Sequence, residues 1–488
     1  MKTIKISPAD NVAVTLVPIT KGEEVFGVTA REDIPQGHKI ALTDIHAGER
    51  VIKYGFTIGT VKSDIHAGHH VHTHNVKTAI SEHSEYTYTP DIHMLARTED
   101  AWFDGYLRKD GSAGVRNEIW IIPTVGCVNS VAEKLAKDNA DLAVGTVEGI
   151  YAFPHPYGCS QLGDDHANTR KLLVSLAKHP NAGGVLILSL GCENLTMEQF
   201  KAEFGEWDEG RVKFLVCQQS EDELAEGARL LKELADYADS FKREKINANK
   251  LVIGLKCGGS DGLSGITANP AVGAFSDMLI SKGGTTILTE VPEMFGAETI
   301  LMNRCRTKEL FDKTVDMING FKDYFTSHGQ TVYENPSPGN KAGGITTLED
   351  KSLGCIQKGG TAPVDGVLGY AQRVETPGLN LMYGPGNDLV SATNLAAAGA
   401  QIVIFTTGRG TPFGCPVPTI KVSTNNALYA FKKNWIDFNA GTVAEGEEIG
   451  HAGKCLLDKV LSVASGEQTV GEKHGYRGIA IFKDGVTL

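Results

Sequence analysis

The sequence predicts an α/β protein built on a parallel sheet, with a small all-β module in front of it. Three observations carry that expectation. From residue 103 onward, short apolar runs alternate with amphipathic helical stretches, the pattern of βαβ units. Three of the runs close on a cysteine beside glycine: Ile119-Trp-Ile-Ile-Pro-Thr-Val-Gly-Cys127, Val185-Leu-Ile-Leu-Ser-Leu-Gly-Cys192 and Leu251-Val-Ile-Gly-Leu-Lys-Cys257. Uninterrupted apolar runs of this kind read as strands buried on both faces. The first 75 residues lack this texture and carry an internal repeat instead.

The repeat has the form Ile-x-x-Gly-x-x-Val/Ile. It appears as Ile19-Thr-Lys-Gly22-Glu-Glu-Val25, Ile34-Pro-Gln-Gly37-His-Lys-Ile40, Ile45-His-Ala-Gly48-Glu-Arg-Val51 and Ile65-His-Ala-Gly68-His-His-Val71. A turn glycine between short apolar runs predicts tight β corners, so residues 1–80 form the all-β module. Residues 81–103, opening on Ser81-Glu-His-Ser-Glu-Tyr-Thr-Tyr-Thr-Pro90, are polar and aperiodic and read as a linker. A middle α/β domain spans 104–245, with helices over about 130–137, 166–178 and 221–241 by their periodicity. The basic, polar stretch 242–250 marks a boundary. A second α/β domain covers 250–488, where Gln401-Ile-Val-Ile-Phe-Thr-Thr407 runs into Gly408-Arg-Gly-Thr-Pro-Phe-Gly414.

The composition is that of a globular protein: 41% hydrophobic and 22% charged over 488 residues. A net charge of −12 without a basic block argues against nucleic acid or an anionic membrane as partner. No run approaches the roughly 18 apolar residues of a membrane span, and no signal peptide is visible. Nine scattered cysteines read as a reducing cytoplasm, not a disulfide framework.

Ligands of open α/β sheets bind beyond the carboxyl ends of the strands. Cys127, Cys192 and Cys257, with Cys159 in His155-Pro-Tyr-Gly-Cys159, are therefore expected at one edge of one sheet. They read evenly as metal ligands or as small buried apolar residues. His66, His69, His70, His72 and His74 crowd nine residues. In an extended segment His70, His72 and His74 share a face, either to contact a metal or a polyhydroxylated acid or as an exposed polar edge. His155 is an acid/base candidate or a structural loop histidine. Asp164, Asp165 and His166 read as a helix start.

The loop Gly258-Gly-Ser-Asp-Gly-Leu-Ser-Gly-Ile-Thr-Ala-Asn-Pro270 could bring backbone N–H groups to an anion. It has no nucleotide fingerprint, so a carboxylate is the better expectation, with Asp261 in the site. Glu290, Glu293 and Glu298 are metal ligands, acid/base groups or helix-start charges. Lys341, on a glycine-rich loop, could hold a carboxylate, take a proton if desolvated, or be a solvated loop lysine, and Arg409, between two glycines after a strand, is a candidate carboxylate clamp. Arg116 is a weaker version of the same idea.

Together these motifs resemble the altronate/galactarate dehydratase family, and the resemblance covers nearly the whole chain. It rests on Gln36-Gly-His-Lys-Ile-Ala-Leu-Thr-Asp-Ile45, His72-Thr-His-Asn75, Tyr157-Gly-Cys-Ser-Gln-Leu-Gly-Asp-Asp-His166, Gly191-Cys-Glu-Asn194 and Cys257-Gly-Gly-Ser-Asp-Gly-Leu-Ser-Gly-Ile-Thr-Ala-Asn-Pro270. It continues through Glu290-Val-Pro-Glu-Met-Phe-Gly-Ala-Glu298, Glu334-Asn-Pro-Ser-Pro-Gly-Asn-Lys-Ala-Gly-Gly344, Thr406-Thr-Gly-Arg-Gly410 and Ile481-Phe-Lys-Asp-Gly-Val-Thr-Leu488.

The resemblance implies an N-terminal SAF (β-clip) domain, a Rossmann-like parallel-sheet body and iron-dependent removal of water from a sugar acid in hexuronate catabolism. The histidine-rich segment 70–74, absent from the galactarate branch, favours D-altronate, converted to 2-dehydro-3-deoxy-D-gluconate. Galactarate dehydration and a related sulfo-lyase reaction are the alternatives. The expected cofactor is Fe2+, replaceable by Mn2+, with an iron–sulfur cluster as the alternative. A cytoplasmic homodimer acting on a small sugar acid is expected. On this chemistry His155, Lys341 and Glu290 are the expected catalytic residues. His70, His72, His74, Arg409, Arg116 and Asp261 are expected to bind substrate. Cys127, Cys159, Cys192 and Cys257 are expected to hold the metal.

Overall fold

The computed structural model describes residues 2–80 and 85–488; positions 81–84 of the expected linker lie outside the described residues. The N-terminal module is all β. Strands Thr3–Ile4, Val12–Thr15, Lys39–Ala41 and His70–Val71 form an antiparallel sheet in that order. Arg50–Lys53, Phe56–Val61 and Val76–Lys77 form a second sheet. The sequence repeat has a direct physical cause. Its glycines Gly22, Gly37, Gly48 and Gly68 sit at φ of 90°, 81°, 83° and 88°, a region that favours glycine. Its leading isoleucines pair across the corners, Ile19 with Ile34 and Ile45 with Ile65, and all four are buried.

Past the module, residues 85–101 run without regular structure over the C-terminal unit, where the Tyr88 hydroxyl donates to the Cys305 carbonyl. The strands that lead into and out of the middle unit, Trp102–Leu107 and Glu244–Asn247, pair with each other antiparallel. The middle unit holds a four-stranded parallel sheet ordered Ile150–Ala152, Glu118–Pro123, Ala182–Ser189, Val212–Val216. All eight residues of its central strand Ala182–Ser189 are buried. Helices Asn129–Asp138, Gly163–Ala177 and Glu223–Asp239 stand within a few residues of their expected positions. Glu223–Asp239 begins at Asp222, whose carboxylate accepts from the N–H groups of Leu224 and Ala225. Its buried stripe of Leu230, Leu231, Leu234 and Ala238 packs on the sheet, each leucine contributing about 1.5–3 kcal/mol by burial.

The C-terminal unit is a seven-stranded, wholly parallel sheet. Its order is Val364–Leu368, Gly378–Met382, Thr285–Leu288, Val252–Cys257, Ile402–Thr407, Thr419–Ser423, Phe438–Asn439. The chain thus builds outward to one side of Val252–Cys257 and then returns to its other side with Ile402–Thr407. That reversal is a topological switch point, where open parallel sheets bind ligands. The expectation of one sheet is corrected here. Cys127 and Cys192 follow strands of the four-stranded sheet, whereas Cys257 ends a strand of the seven-stranded one. No helix among the described residues is long and apolar enough to cross a membrane.

Candidate active site

The N-terminal module docks over the switch point. Glycines make the approach possible. A Cβ on Gly262 would stand 1.9 Å from the Gly37 carbonyl oxygen, and one on Gly344 would stand 2.2 Å from it. The glycine-rich loops therefore serve backbone-to-backbone docking, which explains their composition without an anion. Lys39 Nζ donates to Gly344 O at 2.7 Å and to Asp350 Oδ2 at 2.8 Å, and Lys53 Nζ meets Asp350 Oδ1 at 2.9 Å. All three side chains are buried. Burial opposes the Asp350 charge, but Lys39 and Lys53 outweigh it and hold the carboxyl well below the usual range. Burial in turn pulls Lys39 down to about 8.

Along this seam the histidines meet the C-terminal loops. His38 Nε2 lies 3.4 Å from Ala342 O, His38 Nδ1 lies 2.9 Å from His70 Nε2, and His72 Nδ1 lies 3.1 Å from Thr346 Oγ1. A carbonyl only accepts, so His38 carries its proton on Nε2. Its Nδ1 then accepts from His70 Nε2–H. His70 Nδ1 is left with a free lone pair. Burial, with the neighbouring His38, His74 and Lys39, pushes His70 down to about 4. Burial and Lys39 push His72 down to about 3. These half-buried imidazoles are neutral near pH 7. His74 is exposed, its ring centroid 5.3 Å from that of His70.

Lys341, exposed on the short helix Pro338–Ala342, is next to the carbonyl that anchors His38. Arg409, exposed after the strand Ile402–Thr407, donates from Nε to Gly339 O at 3.1 Å. The structure thus gathers His70, His72, His74, Lys341 and Arg409 on one seam. It adds His38 and Thr346, which the sequence did not single out. His38 had a signal: it occupies the repeat position that holds His69 in the fourth copy.

Four expected residues are placed elsewhere in role. His155 is corrected to a structural residue: it is buried, its Nε2 contacts Pro123 O at 2.8 Å, and its Nδ1 accepts from Tyr157 N–H at 3.2 Å. Arg116 is buried against Glu472 and donates to the carbonyls of Val115, Val463 and Glu467, so it has no free face for substrate. Asp261 accepts from Leu263 N–H, Ser264 Oγ, Thr424 Oγ1 and Asn425 Nδ2; it fastens loops together. Glu290 is fully buried, 2.5 Å from Lys256 Nζ, and accepts Cys257 N–H at 3.0 Å. Burial and the neighbouring Glu293 raise it above the ordinary carboxylate value.

The thiols divide into two kinds. Cys257 is buried, 3.5 Å from Cys355 Sγ and 2.9 Å from Glu293 Oε2, and its sulfur accepts from Lys358 Nζ at 2.9 Å. The ligand atoms of Cys257, Glu293 and Cys355 lie within 4.8 Å of one another. Lys358 and Lys351 already occupy them, the latter at 2.7 Å from Glu293 Oε1. A cation there would face buried ammonium groups, so this set does not fit a metal. Cys127, Cys159 and Cys192 are exposed at the carboxyl end of the four-stranded sheet. Their loops are stapled together. Buried Glu193 accepts from Thr124 Oγ1, Ser189 Oγ, Leu190 N–H and Gly191 N–H. Asn194 Oδ1 accepts from Cys159 Sγ–H and Ser160 N–H.

The assembled features are those of a ligand-handling α/β enzyme with a docked β module. Comparison with known proteins specifies the family. Residues 1–79 match the altronate/galactarate dehydratase SAF domain. Residues 105–239 match the second domain of D-galactarate dehydratase/altronate hydrolase, and residues 248–487 match the C-terminal domain of D-galactarate/altronate dehydratase. The chain is 52% identical to altronate dehydratase of Escherichia coli K12 over 100% of both chains, and 53% identical to that of Bacillus subtilis 168 over 99% of both. It is 34% identical to the galactarate dehydratase (L-threo-forming) of Escherichia coli K12, covering 98% of this chain and 96% of that one. The chain belongs to the altronate/galactarate dehydratase family.

Proposed function

We propose that this protein is a hydro-lyase that converts D-altronate to 2-dehydro-3-deoxy-D-gluconate and water, at the seam between the SAF domain and the switch point of the C-terminal sheet. The observation that carries the site is the convergence of His70, His72, Lys341 and Arg409 there, from segments some 270–340 residues apart. The full-length identity to two altronate dehydratases supports altronate over galactarate. The strand order around the switch point supports a Rossmann-like description of the C-terminal body.

The reaction removes a proton from C2 and hydroxide from C3, and the resulting enol becomes the keto acid. His70 Nδ1 takes the C2 proton, with its ring held by the His38 relay to Ala342 O. The cations of Lys341 and Arg409 bind the C1 carboxylate and the negative charge that develops on it. His72, whose Nδ1 is fixed by Thr346, presents its other nitrogen to the hydroxyl groups.

Among the expected ligands, Cys127, Cys159 and Cys192 are the accessible, soft donors, on loops fastened by Glu193 and Asn194; their sulfur atoms do not all lie within 4.8 Å of one another, so to share an ion the loops would have to draw together. Iron held by these thiols would supply a Lewis acid to an α-hydroxy carboxylate. Iron and acid-labile sulfide assays on anaerobically purified protein separate a single ion from a cluster.

The test of function is product analysis after anaerobic incubation with altronate, galactarate and sulfolactate in separate reactions. The 2-keto-3-deoxy acid should form from altronate. Faster turnover of galactarate, or release of sulfite, overturns the assignment. His70→Ala should lower kcat by about 10²–10⁴-fold, the range for loss of a general base, with little change in KM. Wild-type rates of C2–H exchange in that variant would remove His70 from the role.

A further inference from the structure

A cavity of about 550 Å3 lies at the opposite end of the middle unit, at the amino-terminal edge of the four-stranded sheet. That volume is within the range of small-molecule sites. Its wall carries Arg108, Lys178 and Arg211 from the middle unit and Arg373 from the C-terminal unit. Among the described residues none of these four has a carboxylate within ion-pair distance. The one salt bridge in the cavity joins Lys109 to Asp208 at 2.9 Å. The carboxylate of Asp110 accepts from the N–H and hydroxyl of Ser112 in its own turn.

The arginines are drawn there by the carboxyl end of the helix Gly163–Ala177. Arg373 donates to Ser175 O, Arg211 to His179 O and Ala182 O, and Arg108 to Pro180 O. A helix carboxyl terminus carries only about half a negative charge. Beyond it the wall holds the carboxylates of Asp110 and Glu206, so with Lys109 and Asp208 paired the four cations still exceed the anions facing them. The consequence is visible on these four groups, whereas Lys109, hydrogen-bonded to Asp208, is raised. Burial and the adjacent Arg211 bring Arg108 down to about 9. Burial and Arg373 lower Lys178. Burial also lowers Arg211 and Arg373, although Asp110 pulls both the other way. Free donors remain: Arg373 donates one N–H to Ser175 O, and Lys178 Nζ lies over the Phe204 ring at 4.9 Å, with Glu203 acting on it from farther off. Aromatic rings complete the wall, with Trp207 and Phe204 edge to face at 6.3 Å and Tyr237 nearby.

We propose that this cavity is a second ligand site, distinct from the active-site seam, that takes a phosphate ester carrying a flat ring, of which a nucleoside monophosphate is the simplest. A phosphate monoester brings about −1.5 to −2 charge, enough to offset the unmatched cations. Its oxygens suit the planar guanidinium forks, and its ring stacks on Trp207. Because the wall is built from both α/β units, occupancy ties the C-terminal loop of Arg373 to the middle unit.

Isothermal titration calorimetry of the full-length protein at low ionic strength, with AMP, inorganic phosphate and altronate as separate probes, tests this. AMP should bind about tenfold or more tightly than phosphate, the gain of a single stacked ring. Arg373→Gln and Lys178→Gln should each weaken AMP about fivefold or more, while altronate turnover without AMP stays at the wild-type rate. AMP binding no tighter than phosphate, or AMP affinity unchanged in both variants, overturns the proposal. Displacement of AMP by altronate does so as well, because the cavity is then a substrate site.

Discussion

The two parallel sheets each deliver side chains beyond their carboxyl ends, and they do it in opposite ways. At the four-stranded sheet, Cys127, Cys159 and Cys192 emerge exposed, with the buried carboxylate of Glu193 tying their loops from beneath. At the seven-stranded sheet, Cys257 ends a strand in the same manner but is sealed among Lys358, Glu293 and Cys355. The open chemistry there comes from histidines of another domain and from Lys341 and Arg409. A strand end fixes where a residue is. What packs over it decides whether its lone pairs are available.

The largest effect that could break this comparison concerns the metal. Cys127→Ser and Cys192→Ser should each abolish bound iron in anaerobically purified protein, and Cys257→Ser should retain it. Iron lost from Cys257→Ser alone would reverse the two sheet ends. Next comes the docking of the module. Asp350→Asn leaves Lys39 and Lys53 buried without their counter-charge, so denaturant unfolding should show a loss of about 3–5 kcal/mol. A loss below about 1 kcal/mol would mean water reaches that seam.

A smaller effect is expected at His155. His155→Gln removes a buried donor to Pro123 O and should cost about 1–3 kcal/mol of stability. Its kcat on altronate should stay close to wild type, measured on the folded protein. A kcat loss as deep as that of His70→Ala would restore His155 as the base.

The smallest effect is on pH dependence. His70 and His72 are held at about 4 and about 3, below the ordinary 6.5. Burial leads in both cases; His38 and Lys39 reinforce it in both, with His74 at His70 and His70 at His72, while Glu32 opposes it at His70 and Asp350 at His72. The unfolded chain therefore binds more protons than the folded one between those values and 6.5. Stability is full above pH 6.5 and declines as pH falls through the window. Tm should fall less between pH 6.5 and 4 in a His70→Gln/His72→Gln double variant than in wild type. Parallel curves would show that other groups govern acid unfolding.

Much of the architecture was legible because it is local. The glycine repeat specifies corners through positive φ at Gly22, Gly37, Gly48 and Gly68. The apolar runs specify strands through their patterning, and the strand-end thiols follow from chain order. His38 had only its repeat position to mark it, since its partner Ala342 lies about 300 residues away. Glu290 and Asp261 looked reactive because nothing local shows that Lys256, Thr424 and Asn425 saturate them.

The sequence by itself therefore determined the element types, the family and the list of chemically able residues, since patterning and turn chemistry act over a few residues. Tertiary structure alone decided that the strand-end thiols divide between two parallel sheets, which thiols meet solvent, and which histidine keeps a free lone pair. Those outcomes depend on desolvation and hydrogen-bond partners that arrive from distant parts of the chain, and no local pattern encodes them.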